Sequence, residues 1–332
     1  MRALTSHSEN IDITATAIAG QKLDSFTGNG WTKIVAPAKV NLHLAVGQRR
    51  PDGYHEVTSV LHSLSLHDVV YMRREQGTPG QGLSIELEML ARGGLELPKI
   101  SPQDNLAYKA IDAFARALGR TEDETIKIRI EKNIPSQAGL GGGSSDAAAA
   151  LSGAAYLWGE DAKGDVTVSV AQKLGADVAF FLYGGCALFE GAGDVFVKHL
   201  SPSNSSIAIV KPDQGVSTSA AYATFDDSPT YIDEEAADKV AQSERAQDVA
   251  LYNNLAAASE AVLPRLADIR AWLQSLPGVE GVLLCGSGSA TFALCESFSA
   301  ACDVVTKARE TGLWSRTASL SSLGAFVQPA KG

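Results

Sequence analysis

A glycine-rich segment is the part of the sequence best suited to chemistry. Residues 138–146 read Ala-Gly-Leu-Gly-Gly-Gly-Ser-Ser-Asp, and alanines follow. Because glycine lacks a Cβ atom, backbone N–H groups can close around a bulky anion, and the start of a helix adds further N–H groups and a positive dipole end. Ser144 and Ser145 could supply hydroxyls to phosphate oxygens or to a metal ion. The segment indicates a phosphate-binding loop, and the alternative is a tight strand-to-helix turn without a ligand.

The loop contains no cation of its own. No Gly-Lys-Ser/Thr closes it as in a Walker A loop, and Ser144 stands where the dinucleotide-binding fingerprint requires a third glycine. Lys39 lies among apolar residues, where a charge is costly unless it is paired, and Asp177 precedes an apolar run. Together they could serve phosphoryl transfer, with the aspartate accepting or orienting an alcohol proton and the lysine offsetting phosphate charge. The alternatives are a surface lysine on an edge strand and a helix-capping aspartate.

A second glycine motif lies near the C-terminus. Residues 286–289 read Gly-Ser-Gly-Ser and follow a strand-like run at 279–284. Such a loop can lie against another backbone, and the alternative is an ordinary β-turn.

Composition limits the class of protein. The chain has 332 residues and a formal net charge of −10, which suits one or two domains and disfavours binding to nucleic acid or an anionic membrane. The four cysteines form no C-x-x-C pair, so buried reduced thiols are expected, and the nearby histidines His55, His62 and His67 lack zinc-site spacing. No signal peptide or membrane span is evident, so we expect a cytoplasmic location.

The elements that must position these residues alternate irregularly. We expect residues 1–30 to be a mobile leader, residues 200–206 to connect two domains and residues 226–246 to form a variable surface segment. Strands are predicted at about 32–46 (irregular or at an edge, because of Pro37), 68–73, 83–90, 125–130, 187–197, 207–210, 279–284 and near 318. Helices are predicted at about 105–118, 146–158, 166–174, 258–276 and 297–311. The mixed order favours an α+β fold over a doubly wound sheet.

The sequence resembles the galactokinase, homoserine kinase, mevalonate kinase and phosphomevalonate kinase (GHMP) superfamily from about residue 36 onward. The resemblance is carried by APAKVNLHLAV (36–46), RPDGYHEVTSVLHSL (50–64), DNLAYKA (104–110), IPSQAGLGGGSSDAAAAL (134–151) and GADVAFFLYGG (175–185). The Gly-Tyr-His that follows Pro-Asp is similar to the motif that distinguishes one branch of this superfamily. That branch phosphorylates the 2-hydroxyl of a cytidine-diphosphate alcohol in the non-mevalonate route to isoprenoid precursors. The resemblance implies an ATP-binding domain at 31–199 like ribosomal protein S5, a ferredoxin-like domain at 200–332, and a site between them. It also implies that ATP and Mg²⁺ are the cofactors. The implied partner is the cytidine-diphosphate alcohol, and no nucleic acid or membrane is expected as a partner.

The resemblance also assigns roles to individual residues. It implies that Lys39 and Asp177 are catalytic and that Asn41, Tyr54 and His55 bind the cytidine. The implied ATP-binding residues are Asn105, Lys132, Pro135, Ser136, Gln137, Ala138, Gly139, Leu140, Gly141, Gly142, Gly143, Ser144, Ser145 and Asp146, with Asn105 and Lys132 near the adenosine end. Metal ligands and oligomeric state stay open, and Cys285 stands where relatives commonly have serine. Two alternatives remain: a kinase for mevalonate, homoserine or another small alcohol, and a non-catalytic nucleotide-binding or interaction protein on this fold.

Overall fold

The computed structural model describes residues 30–328, so the expected leader at 1–30 lies outside the described residues except for Gly30. The strands are β1 Thr32–Arg49, β2 His55–Gln76, β3 Leu83–Ala91, β4 Glu124–Lys132, β5 Cys186–Glu190, β6 Val195–Leu200, β7 Ser206–Lys211, β8 Tyr252–Asn253, β9 Val279–Leu284, β10 Thr291–Cys295, β11 Trp314–Ser319 and β12 Phe326–Gln328. The helices are α1 Leu106–Ala117, α2 Gly142–Trp158, α3 Asp165–Leu174, α4 Ala176–Tyr183, α5 Thr218–Asp227, α6 Glu234–Gln242, α7 Ala256–Val262, α8 Arg265–Gln274 and α9 Phe298–Glu310. Helix and strand are mixed as the α+β prediction requires.

A long antiparallel hairpin of β1 and β2 organises the first sheet. The main strand order is β12-β1-β2-β4-β3, while β5 and then β6 extend from β2, and β8 pairs with β1. The prediction that β1 is an irregular or edge strand is confirmed in its first form, because three register shifts interrupt its pairing with β2. On its other side β1 pairs only with β12 at residues 33–35 and with β8 at residues 43–44. Pro37 is tolerated there because the register shifts between Pro37 and Lys39, where the ladder is already interrupted.

An apolar helix layer covers one face of this sheet. Helix α2 packs on β1 and β2 and is flanked by α1, α3 and α4. Its alanines at 147–150 and 154–155 are fully buried, and the apolar side chains around them include Phe114, Phe180 and Met72. The absence of a side chain at Gly153 permits this close approach, because a Cβ atom there would lie 2.4 Å from the Met72 sulfur. The layer fixes where the N-terminus of α2 points.

A second, antiparallel sheet is formed by the C-terminal part of the chain. Its order is β11-β7-β10-β9, and α8 and α9 pack on it. The change from the first sheet to the second falls between β6 and β7, at the predicted connector. We therefore keep 31–199 and 200–332 as the proposed domains, with β8 and β12 returning to the first sheet.

Several predicted elements differ clearly in their extent. The strand predicted at 68–73 is part of the 22-residue β2, and the strand at 187–197 is the β5–β6 hairpin turning around residues 191–194. The helix predicted at 258–276 is two helices, because Pro264 lacks the N–H that a continuous helix needs. The surface segment at 226–246 contains helix α6, capped by Asp233.

Candidate active site

The glycine segment forms the entry to helix α2. Gly141 caps the helix with φ at +71°, and the Ser145 N–H donates to the Gly141 carbonyl at 2.9 Å. Helix α2 therefore begins earlier than the helix predicted at 146–158, because Gly142 and Gly143 form the first helical turn. The first N–H groups of a helix have no intrahelical acceptor, so glycine at these positions leaves them open to an anion.

The loop wraps around a cavity of about 200 Å³. The cavity is lined by Leu106, Lys132 and residues 134–144, which brings together most of the predicted nucleotide-binding positions. Ser145 and Asp146 are buried behind this wall and line none of the cavities described here. The Asn105 side chain caps α1, since its Oδ1 accepts the Ala107 N–H at 2.8 Å. Nucleotide binding stays a prediction for all of these positions.

Lys39 and Asp177 meet at a neighbouring cleft of about 340 Å³, although they are far apart in sequence. The Lys39 ammonium is nearly buried and lies 3.4 Å from the Asp177 carboxylate, which is 31% exposed. The ammonium also donates to Asn41 Oδ1 at 2.8 Å, and Asn41 in turn donates to Ser59 Oγ. Asp177 lies in the first turn of α4, where the helix dipole favours a negative charge. The surface-lysine alternative for Lys39 does not hold in this structure.

The second glycine motif lies directly against the first. The Ala290 N–H donates to the Ala138 carbonyl at 3.1 Å, and the Ser289 N–H donates to the Gln137 carbonyl at 3.1 Å. Gly139 has φ at +74°, and a Cβ atom there would lie 1.7 Å from the Cys285 carbonyl oxygen. It is thus the backbone of Cys285 that meets the loop. The Cys285 thiol is fully buried, and this burial raises its pKa to about 12.

The predicted cytidine-binding residues are only partly brought together. Asn41 lines the cleft, while Tyr54 and His55 do not, and Tyr54 is 66% exposed on the turn before β2. His55 is buried, its Nε2 lies 2.6 Å from Asp226 Oδ1, and its ring centre is 5.1 Å from that of Tyr222. Tyr222 does line the cleft, so His55 lies just behind its wall. Burial, with the nearby Asp177 charge, raises the Tyr222 pKa to about 12 and keeps its hydroxyl neutral.

Sequence reasoning missed three positioning residues. Tyr222 and Asp226 lie on α5, which ends where the expected surface segment at 226–246 begins. No local sequence pattern links either residue to His55. Asn253 donates to the Leu284 and Gly286 carbonyls at 3.0 and 2.8 Å, which holds the second glycine loop. The adjacent amides at 253–254 were a visible signal, but the sequence does not show which backbone they bind.

Family comparisons agree with this geometry. Residues 105–185 match the "GHMP kinases N terminal domain" and residues 233–312 match the "GHMP kinases C terminal" domain. The chain is 39% identical over 271 residues to 4-diphosphocytidyl-2-C-methyl-D-erythritol kinase of Desulfitobacterium hafniense, covering 80% of this chain and 87% of the relative. It is 34% identical over 298 residues to the enzyme of that name from Mycobacterium tuberculosis, covering 87% of this chain and 90% of the relative.

Solved structures show the same relationship. A crystal structure of 4-(cytidine 5'-diphospho)-2C-methyl-D-erythritol kinase matches with a TM-score of 0.67 and 32% identity, covering 87% of this chain and 100% of the other. A homoserine kinase from Cytophaga hutchinsonii shares the fold, with a TM-score of 0.66 at 20% identity, covering 94% of this chain and 100% of the other. The chain therefore belongs to the 4-diphosphocytidyl-2-C-methyl-D-erythritol kinase family of the GHMP kinases.

Proposed function

We propose that the protein transfers the γ-phosphoryl group of ATP to the 2-hydroxyl of 4-diphosphocytidyl-2-C-methyl-D-erythritol, giving the 2-phosphate and ADP. The observation that carries the proposal is the Lys39–Asp177 pair, 3.4 Å apart, in a cleft that also reaches Gly141 and Ser144 of the phosphate loop. A carboxylate, a buried cation and an anion-binding loop in one cleft are the parts that phosphoryl transfer to an alcohol requires. The names of the relatives support the choice of alcohol.

Each group has a distinct role in this proposal. The Asp177 carboxylate accepts or orients the proton of the substrate hydroxyl, and the Lys39 ammonium, 3.4 Å away, pairs with that carboxylate and offsets charge on the transferred phosphoryl. The N–H groups of the loop and the first turn of α2 hold the phosphates of ATP. Asn41 accepts a hydrogen bond from the Lys39 ammonium and is itself held by its bond to Ser59, so it fixes the position of that ammonium in the cleft.

The cytidine end is proposed to lie near Tyr222 and His55. Tyr222 offers a neutral aromatic ring at the cleft wall, on which a base can stack. Asp226 holds one ring nitrogen of His55, which leaves the other to bond the polar edge of the base. Tyr54 would contribute from the exposed rim.

Mg²⁺ is part of the proposal. Among residues 30–328, no three His, Cys, Asp or Glu side chains gather as a dedicated metal cage would need. Mg²⁺ in kinases commonly takes one or two protein oxygens together with phosphates and water, and Ser144, which lines both the loop cavity and the cleft, fits that need. When bound, the ion would offset phosphate charge.

No helix in the described part of the chain combines the length and apolar content of a membrane span, and a cytoplasmic location stays a prediction.

The proposal is tested by ADP release from the purified protein with Mg²⁺, ATP and a panel of alcohols. The cytidine-diphosphate substrate should give substrate-dependent ADP release, while mevalonate and homoserine should give far less. Faster turnover of mevalonate or homoserine would replace the proposed substrate. ATP binding without turnover of any alcohol in the panel would support the non-catalytic alternative.

A further inference from the structure

Three ionisable side chains are buried together behind the phosphate loop. The Lys132 ammonium at the end of β4 contacts Asp68 Oδ2 on β2 and Asp146 Oδ2 on α2, the latter at 2.5 Å. All three residues are at most 7% exposed. A buried ion pair is poor evidence of a net gain in stability, so this cluster calls for another explanation.

The positions of these residues in the sequence supply that explanation. Lys132 directly precedes the segment 133–145, which contains most of the phosphate loop, and Asp146 is the last residue of that loop. Their contact therefore joins the two ends of this segment. Asp68 Oδ1 accepts the N–H groups of Asn133 and Ile134, at 2.5 and 2.8 Å, and thereby holds the first residues of the same segment. A Cβ atom on Gly142 would lie 3.4 Å from the Lys132 ammonium, so the cation sits directly beneath the first turn of α2.

The charges of the cluster are not evenly balanced. Burial would lower the pKa of Lys132, but the carboxylates of Asp146 and Asp68 hold it above its usual value, so the ammonium stays charged. Burial raises the pKa of Asp146 to about 8 despite the attraction of Lys132, and Asp146 Oδ1 has no hydrogen-bond partner among the described residues. Because the cluster holds one cation and two carboxyl groups, Lys132 keeps a carboxyl partner in Asp68 when Asp146 is removed.

We propose that Lys132 and Asp146 form a clasp, a side-chain contact that closes the base of the phosphate loop and holds it in its ATP-binding shape. Both are positioning residues in this proposal, which gives the Lys132 ammonium a role other than contact with the adenosine. A loop that is ordered beforehand loses less conformational entropy when the phosphates bind. The inference rests on the proposed function only in that the loop binds ATP.

The decisive variant is Asp146→Ala, because it opens the clasp and leaves Lys132 paired with Asp68. Calorimetric binding of a non-hydrolysable ATP analogue should weaken about tenfold, or about 1.4 kcal/mol. Asp146→Asn keeps an oxygen acceptor for Lys132 and should stay within about threefold of the wild type. The matched control is Glu131→Ala, which removes the 2.7 Å Arg92–Glu131 pair one residue away without touching the loop, and it should bind the analogue normally.

Amide hydrogen exchange separates a clasp from general stabilisation. In Asp146→Ala, exchange of amides 136–145 should accelerate more than that of amides on β1 and β2, whereas Glu131→Ala should show no such local change. Wild-type analogue binding by Asp146→Ala, or equal weakening by Asp146→Ala and Glu131→Ala, would overturn the proposal. Because the readout is ATP-analogue binding, an incorrect choice of alcohol substrate would show up separately, in the ADP-release panel alone.

Discussion

His62 should make the fold sensitive to mild acid. It lies on β2, fully buried, and its Nε2 accepts the Ser203 N–H at 3.0 Å while its Nδ1 lies 2.9 Å from the Ser63 carbonyl. A backbone N–H can only donate, so Nε2 carries no proton and Nδ1 donates to Ser63. Protonation of Nε2 would break the bond to Ser203, which belongs to the connector between β6 and β7.

The magnitude follows from the pKa of His62. Burial, partly opposed by the bond to Ser63, lowers this pKa from 6.5 to about 4. Between these values the unfolded chain binds a proton that the folded protein does not, so the free energy of unfolding falls as the pH falls. Each tenfold change in proton affinity contributes about 1.36 kcal/mol, so the full effect on the free energy of unfolding is about 3 kcal/mol. About 2 kcal/mol of this stability is lost by pH 5.

Urea unfolding at pH 7.5 and pH 5 measures this loss. His62→Gln keeps an oxygen that can accept the Ser203 N–H but has no titrating group, so its stability should fall by about 2 kcal/mol less than that of the wild type over this range. Burial also lowers the pKa of His43, and that contribution is common to both proteins and cancels in the comparison. His67→Gln, at a half-buried neighbour on the same strand, is the control for removing an imidazole from β2. Equal acid losses in wild type and His62→Gln would refute the reasoning.

Three further substitutions test the site. Asp177→Asn should lower kcat about 10²–10⁴-fold with little change in binding of an ATP analogue, and an unchanged kcat would remove Asp177 from the chemistry. Gly139→Ala should lower the melting temperature and abolish ATP-analogue binding, because its Cβ atom would overlap the Cys285 carbonyl, whereas Gly143→Ala, with its nearest neighbour at 3.9 Å, should be tolerated. Asp226→Ala should raise KM for the cytidine-diphosphate substrate about tenfold through the loss of one charge-assisted bond to His55, with KM for ATP unchanged. A rise in both KM values would assign Asp226 a general structural role.

Local sequence patterns predicted the elements with clear periodicity and missed those decided by packing. The predicted strand at 279–284 matches β9, and the predicted helix at 105–118 contains α1, because each shows its own apolar spacing. The eight-residue α4 was missed as a helix, since its apolar run is buried on every side and shows no amphipathic period. That omission matters because Asp177 lies in the first turn of α4.

The site shows the same division. Residue types and the family resemblance pointed to Lys39, Asp177 and the glycine loop, and the structure brings the first two within 3.4 Å. The contacts of His55 with Tyr222 and Asp226 span more than 160 positions of sequence, so no local pattern could pair them. Charge patterning likewise gave no sign that Lys132 would face two carboxylates.

The phosphate loop and the proposed catalytic pair form one packed unit, which explains how a loop without its own lysine could work. The Lys39 N–H donates to the Leu140 carbonyl at 3.0 Å, so the backbone of β1 is joined to the loop beside the Lys39 ammonium. A Cβ atom on Gly141 would lie 2.7 Å from the Phe181 ring and 3.1 Å from Lys39 Cγ, so Gly141 is in direct contact with the Lys39 stem and with α4, the helix that carries Asp177. A P-loop places its cation through sequence adjacency. Here tertiary packing places it, and a shift of the loop must therefore move the phosphates, the cation and the base together.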